Sequence, residues 1–364
     1  NFYSPYADDL LFASLVKGPK AKYLGWSMPR AEYFGGPWRD AFRGHWGTLR
    51  FFGPTFWSDF GFLQPAGRWT GEGTRELRSG VGKLLIGSER ELSPVVLLYS
   101  YASLVTASGA GAWEARHGGA AMFEASAESR AVLEQLLLGE GIAPGYQTDA
   151  QVAGGGLKGK RLLIIPRQTG VALSSATTRA IEQFVRDGGT VLADLAPALC
   201  DEHGKPQPRA ALDALFGVHA ASESIVHAPH EYGAGVLAKD ALVPQGEWLI
   251  DEWYDQRLRV SDGRAAGQHV ADGAPAFIVK QTGRGRALLL NTLLHSVLPR
   301  QGVPGPEQRA LIRTLLETAG IEPLVRVISQ DGVPAAHCEV NRLHDGANTY
   351  VGFYAHAEPE ADAA

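Results

Sequence analysis

The sequence has only two cysteines among its 364 residues, and Cys200 and Cys338 lie far apart along the chain. Two isolated thiols cannot hold a zinc cluster by themselves, and they argue against a disulfide framework. No run of 18 apolar residues is present, which excludes a membrane-spanning helix. The formal charge of −5 is spread over mixed signs, so neither nucleic acid nor an anionic membrane is favoured as a partner.

The chain begins at Asn1, without an initiator methionine and without the basic-then-apolar pattern of a signal sequence. We therefore expect a fragment of a longer protein, and its compartment stays open, with the cytoplasm favoured. Because 45% of the residues are hydrophobic, the chain has enough apolar material for two or three domains with real cores.

The centre of the chain carries the pattern of a β-α-β unit. Residues 161–166 are a short apolar run, typical of a strand that is buried on both faces of a parallel sheet. Ser174 or Ser175 can cap the following helix, which ends at the glycine pair 188–189. Residues 190–195 are the next strand, so the two strands should be parallel with a right-handed crossover.

Other elements are predicted on both sides of this unit. Residues 94–100 suit a strand, and residues 127–138 suit a helix with one apolar face. Residues 276–280 and 286–290 flank a glycine-rich turn and should form a hairpin. Residues 306–319 then suit a closing helix.

The last part of the chain changes to an alternating pattern. Leu324, Val325 and Val327 come first, and residues 350–353 follow after the turn signal Asp345-Gly346. This pattern predicts the start of a small antiparallel sheet.

Residues 1–90 are rich in aromatic side chains and hold five of the eight tryptophans. Residues 22–28 and 47–53 suit strands, with a short helix at 37–43 between them. A loop with Phe56, Trp57, Ser58 and Asp59 precedes a helix whose Leu77, Val81, Leu84 and Leu85 fall on one face. Aromatic loops after alternating strands and helices are typical of the end of a (β/α)₈ barrel.

Three segments together resemble the C-terminal half of glycoside hydrolase family 42, the β-galactosidases. They are residues 74–85, the central unit with its polar loop 201–206 and the segment 212–218, and residues 319–323 with 339–346. The resemblance implies an α/β chain with three parts. Residues 1–90 would be the C-terminal fragment of a (β/α)₈ barrel, and residues 319–364 a short antiparallel β segment. Between them, residues 91–318 would form a flavodoxin-like, class I glutamine-amidotransferase-like parallel-sheet domain that serves trimerisation.

The resemblance also implies a retaining mechanism, which needs two carboxyl groups about 5–5.5 Å apart. In the family the acid/base residue follows barrel strand 4, which would lie before Asn1. The nucleophile follows strand 7, and the nearest carboxylate after residues 22–28 is Glu32. Glu32 comes later than the family pattern requires, so three alternatives stay open: Glu32 is the nucleophile, it is a solvated loop carboxylate, or this relative of the family has lost the nucleophile.

Three further residues are candidates for binding a saccharide. Sugar rings pack on aromatic planes, which suits Trp26 and Trp57 in loops after strands. Asp59 could orient a sugar hydroxyl. The alternatives are that the tryptophans fill space between domains and that Asp59 caps its loop.

Three other motifs give weaker evidence of a functional site. Cys200 lacks the Gly-x-Cys-x-Gly turn of an amidotransferase nucleophile, so we expect a buried structural thiol. Residues 154–160 match a phosphate-binding loop only superficially, because Arg161 replaces the required Ser or Thr and a strand follows. Residues 227–231 hold two histidines and a glutamate, but Pro229 excludes an aligning helix. The sequence predicts no metal and no cofactor.

The resulting hypothesis is part of a β-galactosidase-like glycoside hydrolase that acts on a saccharide substrate and assembles into a homo-oligomer, by resemblance a trimer. The alternative is a non-catalytic assembly or carbohydrate-binding protein whose amidotransferase-like domain is silent. An active amidotransferase or peptidase is disfavoured by the missing cysteine turn.

Overall fold

A computed structural model describes residues 21–24, 30–50, 56–58, 60–109, 119–219, 225–228, 236–238, 246–248, 252–294, 306–328, 330, 332 and 338–355. The backbone divides into two compact units. The aromatic unit comprises Asn1–Ser93, Leu138–Gly145 and Pro323–Ala364, and the sheet unit comprises Pro94–Leu137 and Tyr146–Glu322. The division at residues 90 and 318 stays a prediction.

The described helices, in chain order, are α1 (Arg30–Phe42), α2 (Pro65–Gly73), α3 (Gly82–Gly87), α4 (Tyr101–Gly109), α5 (Gly119–Gly139), α6 (Asp149–Ala153), α7 (Arg167–Gly170), α8 (Ser175–Arg186), α9 (Asp213–Phe216) and α10 (Pro306–Thr318). In the described part of the chain, no helix combines the length and apolarity that a membrane crossing requires.

The described strands are β1 (Ala21–Leu24), β2 (Gly47–Arg50), β3 (Glu89–Arg90), β4 (Val95–Tyr99), β5 (Gly145–Thr148), β6 (Leu162–Ile165), β7 (Thr190–Asp194), β8 (Val218–His219), β9 (Ile225–Ala228), β10 (Val236–Ala238), β11 (Gly246–Trp248), β12 (Glu252–Asp255), β13 (Arg259–Val260), β14 (Arg264–His269), β15 (Pro275–Thr282), β16 (Gly285–Leu290), β17 (Cys338–His344) and β18 (Thr349–Ala355).

The described part of the aromatic unit begins with a parallel pair of strands joined through a helix. β1 and β2 pair with Ala21 opposite Gly47, and α1 connects them. The helix is longer than the predicted one at 37–43, because it starts at Arg30 and continues through Pro37. Proline is favoured in the first turn of a helix, which made Pro37 resemble a start. The β-α-β order is the repeat of a (β/α)₈ barrel.

The helical segment after α2 differs from the predicted one in the face that it buries. A wide turn at Leu77–Val81 contains Gly80 at φ 131° and interrupts the α-helical repeat before α3 begins. As a result Leu85 is buried, whereas Leu84 is exposed. The expectation that Leu84 joins the apolar face is therefore wrong.

A small antiparallel sheet forms the other part of the aromatic unit. Its strand order is β18-β17-β3, and Asp345 turns the chain between β17 and β18 by accepting the backbone N–H of Asn348 at 2.7 Å. The third strand is β3, not the predicted stretch at Leu324–Val327. There Pro323 lacks a backbone N–H, and the Leu324 carbonyl accepts a side-chain hydrogen bond from Arg342 at 3.4 Å rather than from a strand.

Helix α1 packs directly on this small sheet. A Cβ atom at Gly352 would lie 2.3 Å from the Phe42 ring, so only glycine permits this approach. Beside it, the buried Arg43 guanidinium holds the buried Glu339 carboxylate with two hydrogen bonds of 2.7 and 2.5 Å. Asn341 donates to the same carboxylate at 2.8 Å. This buried polar centre ties the start of the described chain to its end.

In the described part of the sheet unit, nine strands form one sheet in the order β11-β10-β14-β15-β16-β7-β6-β4-β5. β4, β6, β7 and β16 pair in parallel, and β15 runs antiparallel to β16. Read as β5-β4-β6-β7-β16, these five neighbouring strands have the 2-1-3-4-5 order of flavodoxin-like folds. The predicted α/β fold class with a separate antiparallel segment is confirmed.

The central β-α-β unit forms for the reasons that its sequence indicates. Every residue of β6 and β7 is buried, as a parallel strand covered on both faces requires. Ser174 is the cap of α8, because its hydroxyl accepts the Thr177 backbone N–H at 3.1 Å. The face of α8 with Ile181 and Val185 then packs into the main apolar core.

Candidate functional site

A short turn displays aromatic side chains after the parallel strand pair of the aromatic unit. Trp57 and Leu63 form an antiparallel bridge. Inside it, the Ser58 N–H donates to the Phe62 carbonyl at 2.8 Å, and Gly61 takes φ 79°. Trp57, Phe60 and Phe62 are 56%, 87% and 72% exposed. The described residues of this turn are thus joined by backbone hydrogen bonds, while three of its aromatic rings are exposed.

Tyr33 links this turn to the start of helix α1. It is buried, and its ring meets Phe56 edge to face with centroids 5.8 Å apart and planes at 88°. On another side it contacts Trp69, with centroids 6.2 Å apart. Tyr33 directly follows Glu32, and Phe56 directly precedes Trp57. The contact between Tyr33 and Phe56 therefore places the backbone next to Glu32 and the backbone next to Trp57 in the same region of the aromatic unit.

The predicted site residues differ in how far they can be located. Glu32 lies in the first turn of α1, on the side where the chain leaves β1. Trp57 lies on the exposed aromatic turn. Trp26 and Asp59 fall outside the described residues. The nucleophile role of Glu32 and the sugar contacts of Trp26, Trp57 and Asp59 stay predictions.

In the sheet unit, the last residue of β7 carries a buried carboxylate. Asp194 accepts a hydrogen bond from the Ser129 hydroxyl at 2.8 Å and another from the backbone N–H of Arg167. Ser129 in turn accepts the N–H of Leu294 at 3.0 Å. Burial raises the pKa of Asp194 to about 7, against the opposing effect of these donors and of the Arg167 charge.

Arg167 is the cation beside this carboxylate. It is buried, and its guanidinium donates to the Leu195 carbonyl at 2.9 Å. Burial lowers the pKa of Arg167 to about 10, although the neighbouring Asp194 favours its charged form. The pair is consequently a structural tie between the ends of β6 and β7.

A second buried polar group lies on helix α5 and was not apparent from the sequence. Arg130 donates to Gln168 at 2.8 Å and lies 3.4 Å from Glu134, which also accepts the Tyr146 hydroxyl. Burial and the nearby Glu134 raise the pKa of Tyr146 well above its usual value. The spacing of Arg130 and Glu134 on one helix was visible, but their burial depends on the fold.

The usual ligand position of this fold is filled by the protein. In a 2-1-3-4-5 sheet, ligands bind where the strand order reverses, here between β4 and β6. Ser100 and Ser103 occupy that position, and both hydroxyls donate to the Ala172 carbonyl, at 2.9 and 2.8 Å. Thr169 donates to the Leu98 carbonyl at 2.7 Å beside them. All three side chains are buried.

Cys200 is buried, as expected, and is unsuited to nucleophilic chemistry. Its N–H donates to the Val171 carbonyl at 2.9 Å, and its carbonyl accepts from Leu173 at 3.1 Å. Burial raises the pKa of its thiol to about 11, which Arg167 only partly opposes. A thiol with this pKa is protonated at neutral pH, whereas catalysis needs the thiolate.

No group of three or more His, Cys, Asp or Glu side chains able to hold a metal occurs among the described residues. His227 lies in β9, and residues 229–231 are outside the described part.

The fold places the chain beside several solved glycosidases. No protein-family model and no curated protein sequence matches it. The β-galactosidase from Rahnella sp. R3 matches at a TM-score of 0.68 and 17% identity, over 97% of this chain and 52% of its own. Gan42B, a GH42 β-galactosidase from G. stearothermophilus, matches at 0.68 and 16%, over 95% and 49%.

The β-galactosidase from Bacillus circulans sp. alkalophilus matches at a TM-score of 0.67 and 13% identity, over 96% of this chain and 51% of its own. The chain spans about half the length of these structures. The resemblance inferred from the sequence is thus confirmed at the level of the fold. This chain has the fold of about one half of a glycoside hydrolase family 42 β-galactosidase.

Proposed function

We propose that this chain is the C-terminal part of a glycoside hydrolase of β-galactosidase type, which hydrolyses terminal galactosides with retention of configuration. The observation that carries the proposal is the match over nearly the whole chain to three β-galactosidases. The parallel β1–β2 pair with an aromatic turn after β2 supports a barrel active site, because barrel enzymes react at the carboxyl ends of their strands.

In the proposed reaction Glu32 attacks the anomeric carbon of the galactoside and forms a glycosyl-enzyme. A carboxylic acid from an earlier barrel strand, outside this sequence, protonates the leaving oxygen and then activates water. Trp26 and Trp57 would pack on the apolar face of the sugar, and Asp59 would hold a hydroxyl. These roles come from the position of each residue in its strand–loop order.

The reaction can be tested with nitrophenyl β-galactoside and the protein that contains this chain together with a whole barrel. We expect Glu32→Gly to lose at least about 10³-fold in kcat, since covalent catalysis is removed. Azide should restore turnover by forming α-galactosyl azide. Glu72→Gln changes an exposed carboxylate on α2 and should retain full activity.

Two outcomes would redirect the proposal. Full activity of Glu32→Gly would exclude Glu32 as the nucleophile while leaving the enzyme class in place. Absence of galactoside hydrolysis in the unaltered protein would exclude the enzyme class and leave the alternative of a non-catalytic assembly or carbohydrate-binding protein.

We further propose that the sheet unit assembles the protein into a homotrimer and carries no amide chemistry of its own. The protonated Cys200 and the filled switch position support a silent unit. Analytical ultracentrifugation of the chain should give three times the 39.0 kDa mass. A monomer at all concentrations would exclude this role.

A further inference from the structure

The sheet unit has a cavity that the proposed reaction does not use. It has a volume of about 370 Å³ and lies between the start of α8 and residues 201–211, the loop after β7. Its floor is formed by Leu173 and Thr178, which are 1% and 6% exposed. Asp201, Lys205 and Gln207 line its walls. Pockets that bind small molecules begin at about this volume.

The walls of this cavity are fixed by main-chain hydrogen bonds. The Asp201 N–H donates to the Lys205 carbonyl at 3.0 Å, and the Gln207 N–H donates to the Leu199 carbonyl at 3.0 Å. At the far end, Ala211 donates to the carbonyl of Ala198, which has the left-handed φ of 54°. A preformed wall lowers the ordering entropy that a ligand must overcome.

The polar groups of the wall have capacity left for a ligand. One oxygen of Asp201 accepts the N–H groups of His203 and Lys205, both at 3.0 Å, and no described residue donates to its other oxygen. Within the described residues, no side-chain hydrogen bond engages the Lys205 ammonium or the Gln207 amide. On the floor, Thr178 donates to the Ser175 carbonyl at 3.2 Å, and its oxygen can still accept.

The charges decide which ligand class suits these groups. Two carboxylates, Asp201 and Glu202, and one ammonium, Lys205, line the cavity. The surplus of negative charge disfavours a phosphate, and an amine can pair with the carboxylates but offers no acceptor to Lys205 or Gln207. A neutral polyol meets both, because each hydroxyl donates to a carboxylate and accepts from an ammonium or amide.

We propose that this cavity is a second saccharide site, which takes a neutral monosaccharide through Asp201, Lys205, Gln207 and Thr178. The site lies in the sheet unit and does not depend on the galactosidase reaction. Its ligand hydroxyls pair with the wall groups, while Leu173 and Ala211 cover the apolar face of the sugar.

The test is calorimetric titration of the 364-residue chain with D-galactose and D-glucose, with inorganic phosphate and methylamine as comparison ligands. We expect saturable sugar binding, which Lys205→Ala and Gln207→Ala each weaken at least fivefold. Lys158→Ala, which alters an exposed lysine in the turn before β6, should bind sugar like the unaltered chain. Hydrogen exchange should slow on sugar binding in peptides that cover residues 199–211.

Three results would overturn the proposal. One is the absence of sugar binding, and another is tighter binding of phosphate or methylamine than of sugar. The third is sugar binding that Trp57→Ala abolishes and the two cavity variants leave unchanged. This third result would retain the proposed galactosidase site, so the two proposals can fail separately.

Discussion

The rings of Tyr33 and Phe56 meet edge to face with centroids 5.8 Å apart, and this contact joins the start of α1 to the aromatic turn. Each ring is one residue away from a predicted site residue, Glu32 or Trp57. The backbone next to both predicted site residues is therefore held by one ring contact.

Replacing Tyr33 by Leu should weaken galactoside binding more than it slows the chemical step. The leucine removes the contact between the Tyr33 and Phe56 rings, which stabilises the structure by about 0.5–1.5 kcal/mol beyond the effect of burying their area. The aromatic turn is then held less firmly against α1. We expect KM for nitrophenyl galactoside to rise about three- to tenfold, while Tyr33→Phe keeps the ring and the KM. Equal KM values for Tyr33→Leu and Tyr33→Phe would show that the turn is held without this contact.

Asp194 should make the sheet unit less stable as the pH rises. Because burial raises the pKa of Asp194 to about 7 from its ordinary value of 3.8, the folded state keeps a proton that the unfolded state has released between these values. We expect the free energy of unfolding to fall by about 1 kcal/mol per pH unit between pH 5 and 7 and to level off above. Hydrogen exchange of the β6 and β7 amides measures this slope.

Asp194→Asn is the matched control for that slope. The amide cannot ionise, although it loses one of the two acceptor positions that Ser129 and Arg167 use. The variant should therefore be less stable at pH 5 and nearly independent of pH up to 8. A slope that persists in Asp194→Asn would assign the titration to another group.

The pair of Arg43 and Glu339 should stabilise the aromatic unit most strongly above pH 4.5. Burial disfavours the Glu339 carboxylate, but Arg43 and Asn341 outweigh it and lower its pKa to about 2 from 4.5. The stabilisation is lost as the pH falls through this range. Arg43→Met leaves a buried carboxylate without its cation and should cost about 3–5 kcal/mol.

The comparison for Arg43→Met is Arg186→Met, which removes an exposed pair with Glu182 at 3.1 Å. An exposed pair contributes at most about 1 kcal/mol, so thermal unfolding should hardly change. Similar melting temperatures for the two variants would contradict a dominant buried pair. In the double variant Arg43→Met/Glu339→Leu, most of the lost stability should return.

The cap of α8 predicts that replacing either of two adjacent serines by alanine changes the free energy of unfolding by different amounts. Ser174→Ala removes the acceptor of the Thr177 N–H and should lower the free energy of unfolding by about 1 kcal/mol. Ser175→Ala, one residue further, alters an exposed side chain inside the first turn and should be neutral. Urea unfolding of both variants would show the reverse order if Ser175 were the cap.

The two cysteines should react with iodoacetamide at different rates. Cys200 is buried with a thiol pKa of about 11, whereas Cys338 is only partly buried. In the native chain, mass spectrometry should find Cys338 alkylated first, and Cys200→Ser should leave galactoside hydrolysis unchanged. Rapid labelling of Cys200 at neutral pH would reopen the amidotransferase hypothesis.

The central unit was predictable because its signals are local. The apolar runs of β6 and β7, the serine cap and the glycine pair at 188–189 each act within a few residues. Turn chemistry likewise predicted the β15–β16 hairpin and the turn at Asp345-Gly346 that joins β17 to β18. These elements need no partner far along the sequence to be recognised.

Other features depend on contacts that a sequence pattern does not contain. β3 is only two residues long and exists through pairing with Leu343 and His344. The exposure of Leu84 follows from the irregular turn at Gly80, and the burial of Arg130 follows from packing of α5. For the candidate site, the sequence indicated the aromatic turn at Trp57, but the support from Tyr33 required the fold.

The pairing of Arg43 with Glu339 also constrains how the protein matures on the ribosome. The two residues are 296 positions apart, and chains grow at roughly 5–20 residues per second. During translation, Arg43 is thus synthesised roughly 15 to 60 s before Glu339, and the sheet unit is made in that interval. The sheet unit can complete itself first, and the aromatic unit closes only when the final hairpin emerges.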